Sequence, residues 1–214
     1  INRFTGGAFE LGSVVKTVTF AMALDAGTTD LTRRYDCRYP LPAGRFKIND
    51  FHAKRTFLST EEIFTYSSNI GTAQMALEVG VDAHQEFLRK IGFFDRMRTE
   101  VPEAAQPLVP RHWGRVNTMT ASYGHGMSIE PLQLVAVAGA LMNGGNYIEP
   151  TFMKRELDTA RSMARPIVKS STSDTMRYLF RQNVLVGTGG NADVPGYRVG
   201  GKTGTAEKIV RGHY

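Results

Sequence analysis

Apolar residues crowd nearly every side of the chain between positions 13 and 26, running from Val14, Val15 and Val18 through Phe20, Met22, Ala23 and Leu24 to a stop at Gly27. That all-round pattern predicts a buried helix with Ser13 at its start, not an amphipathic surface helix. Residues 28–58 lose the period around Pro40, Pro42 and Gly44, which predicts an irregular loop with short strand pieces. Ser59-Thr60-Glu61-Glu62 matches a capping box ahead of Ile63 and Phe64, so a short helix should run into Tyr66. Ile70, Ala73, Met75, Ala76 and Leu77 predict a helix over 70–79 ended by Gly80. Asp82 with Gln85 opens another that closes at Gly92. Pro102, Pro107 and Pro110 predict a long loop across 99–118. Glu130-Pro131 opens a strongly apolar helix from Leu132 to Met142, stopped by Asn143-Gly144-Gly145. Thr172 or Ser173 begins a helix carrying Met176, Leu179, Phe180 and Val184, and Gly187 to Gly190 reads as a flexible turn. Tyr197 to Gly201 leads into Lys202, and Ala206 to Val210 continue in an extended pattern, predicting a strand. Five or six helices and one strand make the fold class α+β.

Composition narrows the class without changing this picture. With 214 residues, 42% hydrophobic and 21% charged, the chain can build one core or two closely packed subdomains, and overall disorder is excluded. The net charge of +6 suits an anionic substrate or surface. The bases read as scattered, and the densest group, around Arg96 and Arg98, is interrupted by acids, so nucleic acid is not expected as a partner. The single cysteine, Cys37, excludes an intradomain disulfide and a cysteine-built zinc site. The five histidines show no i,i+4 pairing, so neither a metal nor a cofactor is expected. No apolar run reaches about 18 residues. The chain opens at Ile1 without a signal-like segment and reads as a piece of something longer.

Three short strings carry candidate chemistry: Ser13-Val14-Val15-Lys16, Ser67-Ser68-Asn69 and Lys202-Thr203-Gly204, spaced 54 and then 135 residues apart. At a helix start, free N–H groups favour negative charge, so a Ser13 hydroxyl can attack while its own N–H steadies an oxyanion. Lys16 lies one turn on and can take the Ser13 proton if burial and a nearby cation keep it neutral. A helix cap and a solvated lysine would be the blander explanation, but a lysine on so apolar a helix is costly to leave unexplained. Ser67 can relay a proton, and the Asn69 amide can hold a substrate backbone; capping of the next helix is compatible with both. On a strand edge, Lys202 supplies charge, and Thr203 and Thr205 supply hydroxyls for a carboxylate. Gly204 permits close approach, and the Thr205 N–H is a candidate second oxyanion donor. Each string alone is weak; their order and spacing together make the signal.

The strings, with Phe9-Glu10-Leu11-Gly12 before Ser13, Tyr66 and Ile70-Gly71 around the second, Ser122-Tyr123-Gly124-His125-Gly126 followed by Pro131-Leu132-Gln133-Leu134, and Gly200 to Lys208 around the third, resemble the transpeptidase domain of class B, monofunctional penicillin-binding proteins. The resemblance runs along essentially the whole chain. It is nearest to the division-specific septal enzymes, those of alphaproteobacteria in particular. It implies the penicillin-binding protein and serine β-lactamase-like fold, here mostly the helical subdomain plus the Lys-Thr-Gly strand of an antiparallel sheet. It further implies a D,D-transpeptidase that cross-links peptidoglycan stem peptides through a serine acyl-enzyme and is acylated by β-lactams. By position, Ser13 would be the nucleophile, Lys16 the base and Ser67 the proton shuttle. Asn69, Lys202, Thr203, Gly204 and Thr205 would bind substrate, and the Ser13 and Thr205 N–H groups would form the oxyanion hole. The glycines of Ser122 to Gly126 would shape the cleft floor. Leu11 departs from the proline of many relatives.

The resemblance also implies parts beyond these residues. Residues 1–214 would be a single, incomplete transpeptidase domain, with the membrane anchor, the pedestal domain and the C-terminal strands outside the chain. The whole protein would sit on the periplasmic face of the inner membrane with other division and cell-wall proteins as partners, and the 214 residues alone would be a poor enzyme. Competing readings are a serine β-lactamase or a D,D-carboxypeptidase of the same fold, or an inactive fragment that serves as an interaction module. No Glu followed three residues later by Leu-Asn lies between Ser67 and Lys202, which counts against a class A β-lactamase.

Overall fold

A computed structural model describes residues 2–205. The chain enters through a 3₁₀ turn, Gly12–Val15, which runs directly into helix α1, Lys16–Ala26. The predicted helix start at Ser13 is therefore one turn of tighter helix, and Ser13 stands inside it. Gly27, at φ 70°, closes α1 in the left-handed conformation that a Cβ would penalise. Every residue of α1 from Lys16 to Ala23 is buried. Its lack of an amphipathic stripe has a physical cause: the segment serves two cores. Phe20, Ala21 and Ala23 enter one cluster with Phe64, Ile63, Met75, Leu179 and Phe180. Val15 and Val18 enter the other with Leu88, Ile91, Phe93, Ile129 and Val137. Phe20 meets Phe64 edge-on at 5.0 Å, and Phe64 meets Phe180 likewise at 5.7 Å. Each such buried ring contributes about 2–3 kcal/mol from area alone.

Around α1 the order is β1 (Arg34–Asp36), β2 (Leu41–Ala43), β3 (Phe46–Ile48), β4 (Phe57–Ser59), α2 (Thr60–Tyr66), α3 (Asn69–Val79), α4 (Val81–Lys90), α5 (Arg115–Ala121), α6 (Pro131–Met142), β5 (Asn146–Tyr147), α7 (Leu157–Ser162), β6 (Arg165–Pro166) and α8 (Ser170–Val186). The strands form three two-stranded antiparallel pairs, β1 with β4, β2 with β3, and β5 with β6. Helices α3, α6 and α8 pack against α1 and wall it in. Among the described residues no helix is long and apolar enough to cross a membrane.

The capping box is present as read: Ser59 Oγ accepts from the Glu62 N–H at 3.2 Å, and the Glu62 carboxylate accepts from the Ser59 N–H at 2.7 Å. Several expectations need correction. Eight α-helices are found among the described residues, not five or six. Helix α5 begins inside the stretch read as loop, where Asn117 Oδ1 accepts from the Gly114 N–H at 3.0 Å and starts the turn. Helix α4 starts at Val81, with Gly80 at its cap and Asp82 in its first turn. Helix α8 starts at Ser170 because the Thr172 and Ser173 hydroxyls bind other elements, Asp25 Oδ1 at 2.8 Å and the Leu141 carbonyl at 2.6 Å. The segment Lys202 to Thr205 pairs with no strand among the described residues, and the predicted continuation over Ala206 to Val210 lies outside them.

Candidate active site

Three elements meet at the Ser67 hydroxyl. Helix α1 brings Lys16, the tight turn between α2 and α3 brings Ser67, and the segment after α8 brings Lys202. The turn before Ser13 is fixed by an isolated bridge in which Phe9 and Ile129 exchange N–H···O bonds of 3.0 and 3.1 Å. The Gly12 N–H donates to the Gly124 carbonyl at 3.2 Å. Gly124 has φ 88°, and a Cβ there would stand 2.1 Å from the Gly12 carbonyl oxygen, so only glycine lets the two backbones lie together. Ser13 is half-buried, and its hydroxyl has no hydrogen-bond partner among the described residues.

Lys16 is 0% exposed. Its Nζ donates to the Ser67 carbonyl at 2.6 Å and to Ser67 Oγ at 3.0 Å. Lys202 Nζ donates to the same Oγ at 2.9 Å, so one hydroxyl bridges two amines. Ser67 can present both oxygens to Lys16 because it caps α2 with φ 59°, a left-handed conformation unusual outside glycine and worth about 1 kcal/mol or more of strain. Ser68 then caps α3, accepting from the Gly71 N–H at 3.0 Å.

Burial, reinforced by the neighbouring Lys202 ammonium, holds the Lys16 amine well below the ordinary lysine range, against an opposing pull from the Asp50 carboxylate. Burial lowers the Lys202 amine to about 8. Lys16 therefore releases its proton readily. A neutral Lys16 offers a lone pair, and Ser67 Oγ–H can donate to it while still accepting from Lys202.

The Lys202 segment is tied to α8. The Gly201 N–H donates to the Phe180 carbonyl at 3.1 Å, and the buried Asn183 amide donates to the Gly201 carbonyl at 2.9 Å. Thr188 and Thr203 share a hydroxyl contact of 2.7 Å. Gly204 lies against the nucleophile turn, where an added Cβ would come 2.8 Å from Val14 Cγ1. Thr203, Gly204 and Thr205 are exposed.

Lys16, Ser67 and Lys202 are thus joined in one hydrogen-bonded chain, with Thr203 and Gly204 beside it. Two predicted residues behave differently. The Asn69 amide is occupied, donating to the Asn49 carbonyl at 3.0 Å, which leaves its Oδ1 for a ligand. Ser13 is not hydrogen-bonded to Lys16. Sequence reasoning missed Asp50, whose carboxylate accepts from Ser68 Oγ at 2.7 Å, the Asn69 N–H at 2.6 Å and the Ile70 N–H at 3.0 Å. It caps α3 from a distant loop and so fixes the turn that holds Ser67. The missed Asn183 does the same for the Lys202 segment. Cys37 lies beneath this turn, 3.6 Å from Ser68 Oγ; burial pushes its thiol up to about 11, so it stays protonated and inert. Among the described residues no cluster of three histidine, cysteine or acidic side chains is placed to hold a metal ion.

The chain has known relatives. A protein named "Probable peptidoglycan D,D-transpeptidase FtsI", from Caulobacter vibrioides, is 38% identical over 211 residues, 97% of this chain and 36% of that protein. "Stage V sporulation protein D" of Bacillus subtilis is 32% identical, covering 96% of this chain and 34% of its own length. The chain therefore spans about a third of the curated relatives it matches. The solved transpeptidase domain of penicillin-binding protein 3 from Burkholderia pseudomallei superimposes with a TM-score of 0.89 at 29% identity, covering 100% of this chain and 65% of that one. Residues 1–214 match the family described as "Penicillin binding protein transpeptidase domain", and the α+β fold with its helical subdomain is the fold of that family. The chain belongs to the penicillin-binding protein transpeptidase family.

Proposed function

We propose that the whole protein is a peptidoglycan D,D-transpeptidase and that this chain carries its acylation machinery. The observation that carries the reading is the hydrogen-bonded chain Lys16–Ser67–Lys202, whose Lys16 follows Ser13 by one turn. Ser13 Oγ attacks the carbonyl carbon of the bond between two terminal D-alanines of a stem peptide, and its proton passes to Lys16 Nζ. The Ser13 and Thr205 N–H groups take the oxyanion. Lys202, Thr203 and Thr205 hold the terminal carboxylate, Gly204 leaves room for the donor backbone, and Asn69 holds that backbone through its free oxygen. As the C–N bond breaks, Ser67 passes its proton to the leaving D-alanine nitrogen and takes one from Lys16, 3.0 Å away, so that Lys16 is again neutral and an ester remains on Ser13. An amine of a second stem attacks the ester and gives up a proton to Lys16; the acyl C–O bond then breaks as that proton passes to Ser13 Oγ, restoring the hydroxyl and forming the cross-link. A penicillin follows the first half and stays as a slowly hydrolysed ester.

The finer reading is a septal role. Residues 1–214 then form the helical part of one transpeptidase domain. The anchor, pedestal and C-terminal strands belong to the rest of a protein held at the periplasmic face of the inner membrane among other division proteins. No cofactor takes part. The test is a stem-pentapeptide donor with an amine acceptor, presented to the full-length protein. D-Alanine release with dimer formation supports the reading. Release without dimer makes the protein a carboxypeptidase, and rapid turnover of a penicillin makes it a β-lactamase.

A further inference from the structure

Beside the Ser67–Asn69 turn runs a strip of chain whose composition the catalytic reading does not use. Between positions 38 and 57 it carries five cations, Arg38, Arg45, Lys47, Lys54 and Arg55, against one acid, Asp50. Asp50 is already occupied by the α3 N-terminus. Tyr39, Phe46, Phe51 and Phe57 alternate with these cations and stand out into solvent, Tyr39 at 71%, Phe46 at 74% and Phe51 at 91% exposure. Cations and aromatics interleave along this segment, and the described residues leave its rings exposed.

Arg45, Lys47, Lys54 and Arg55 have no carboxylate partner among the described residues, whereas Arg38 is paired with Asp36 and lies 4.5 Å over the Phe57 ring. Arg55 holds φ 53°, a conformation that costs a non-glycine residue about 1 kcal/mol or more. Exposed rings and uncompensated charge in one strip mark a binding surface. The strip is continuous with the catalytic turn. The Asn49 carbonyl receives the Asn69 amide at 3.0 Å, and the Lys54 ammonium lies 4.5 Å over the ring of Tyr66, the residue before Ser67.

We propose that this strip binds the peptidoglycan strand itself. The inference rests on the transpeptidase reading above. A glycan strand offers sugar rings whose C–H faces stack on exposed aromatics, and its stem peptides carry free carboxylates for the cations, so it matches both halves of the strip's chemistry. The strip holds polymer beside Ser13, and a free penicillin is too small to span both.

Phe46→Ser/Phe51→Ser and Arg45→Gln/Lys47→Gln/Lys54→Gln forms of the full-length protein test this by co-sedimentation with purified peptidoglycan sacculi, with acylation by a fluorescent penicillin followed in parallel. All five positions are exposed. The expected result is a fall in retention of about tenfold in each variant, with the penicillin acylation rate held within about twofold. Unchanged retention in both variants overturns the proposal. So does a parent protein that acylates normally yet is not retained, which would leave the strip to a protein partner. Acylation that falls in step with retention would make the strip part of the catalytic cleft and overturn it as a separate surface. A parent that is not acylated at all would count against the transpeptidase reading instead.

Discussion

Replacing Lys16 by arginine should abolish the general base while keeping a cation in place. The Lys16 amine is fully buried, 2.6 Å from the Ser67 carbonyl and 3.0 Å from its hydroxyl, and its pKa is held well below the ordinary lysine range. A guanidinium cannot lose its proton under these conditions. Loss of a positioned base costs about 10²–10⁴ in rate, which is roughly 3–5 kcal/mol in the barrier. The assay is the second-order acylation rate with a fluorescent penicillin across pH. In the parent the rate rises as Lys16 deprotonates, so its acid limb should lie far below the usual lysine pKa. Lys202→Ala removes the cation that helps depress Lys16, so the limb should move to higher pH. Lys16→Met separates a lost base from a damaged core, because it keeps the apolar stem and should acylate as slowly as the arginine variant. The sign for stability follows from linkage. The folded pKa is depressed, so between it and the unfolded value the unfolded chain binds more protons and stability rises with pH. Below the folded pKa the charged, buried amine is at its most costly, and Lys16→Met should gain stability over the parent there. A Lys16→Arg variant that acylates at the parental rate would refute the reasoning.

Asp50→Asn should cost about 1–3 kcal/mol in urea unfolding by weakening the bonds from Ser68, Asn69 and Ile70. It should also slow acylation and move the acid limb to lower pH, because Asp50 raises the Lys16 pKa; an unshifted limb would argue against the coupling. Gly124→Ala places a Cβ against the Gly12 carbonyl at a positive φ, so both the melting temperature and the acylation rate should fall, and a parental melting curve would contradict the close packing. Thr205 is exposed, so Thr205→Ala should change stability by no more than about 0.5 kcal/mol while acylation drops sharply. A loss of the melting transition with acylation intact would reverse that assignment.

The parts legible in the sequence are those where one residue type is required at a fixed local spacing. The capping box at Ser59 and Glu62, the Pro131 start of α6 and the three strings whose Lys16, Ser67 and Lys202 come together are of this kind, and Lys16 betrayed itself as a charge on an apolar helix. Helices α5 and α7 were invisible because they span seven and six residues, too short for a helical period to show, and α7 buries none of them. Thr172 and Ser173 misled the reading of α8 because their hydroxyls serve Asp25 and Leu141 across the fold. Asp50 and Asn183 hold the Ser67 turn and the Lys202 segment through contacts 18 or more residues away in sequence, and no local pattern reports such a partner. The left-handed Ser67 was equally hidden, since serine rarely adopts that conformation and tertiary contacts with Lys16 sustain it.

The central claim is that Ser13 is the nucleophile served by Lys16, Ser67 and Lys202. Intact-protein mass spectrometry of the full-length protein after exposure to a β-lactam tests it most directly. The account predicts one covalent adduct, mapped by peptide sequencing to Ser13 and absent from Ser13→Ala. An adduct of the same mass persisting in Ser13→Ala would contradict it.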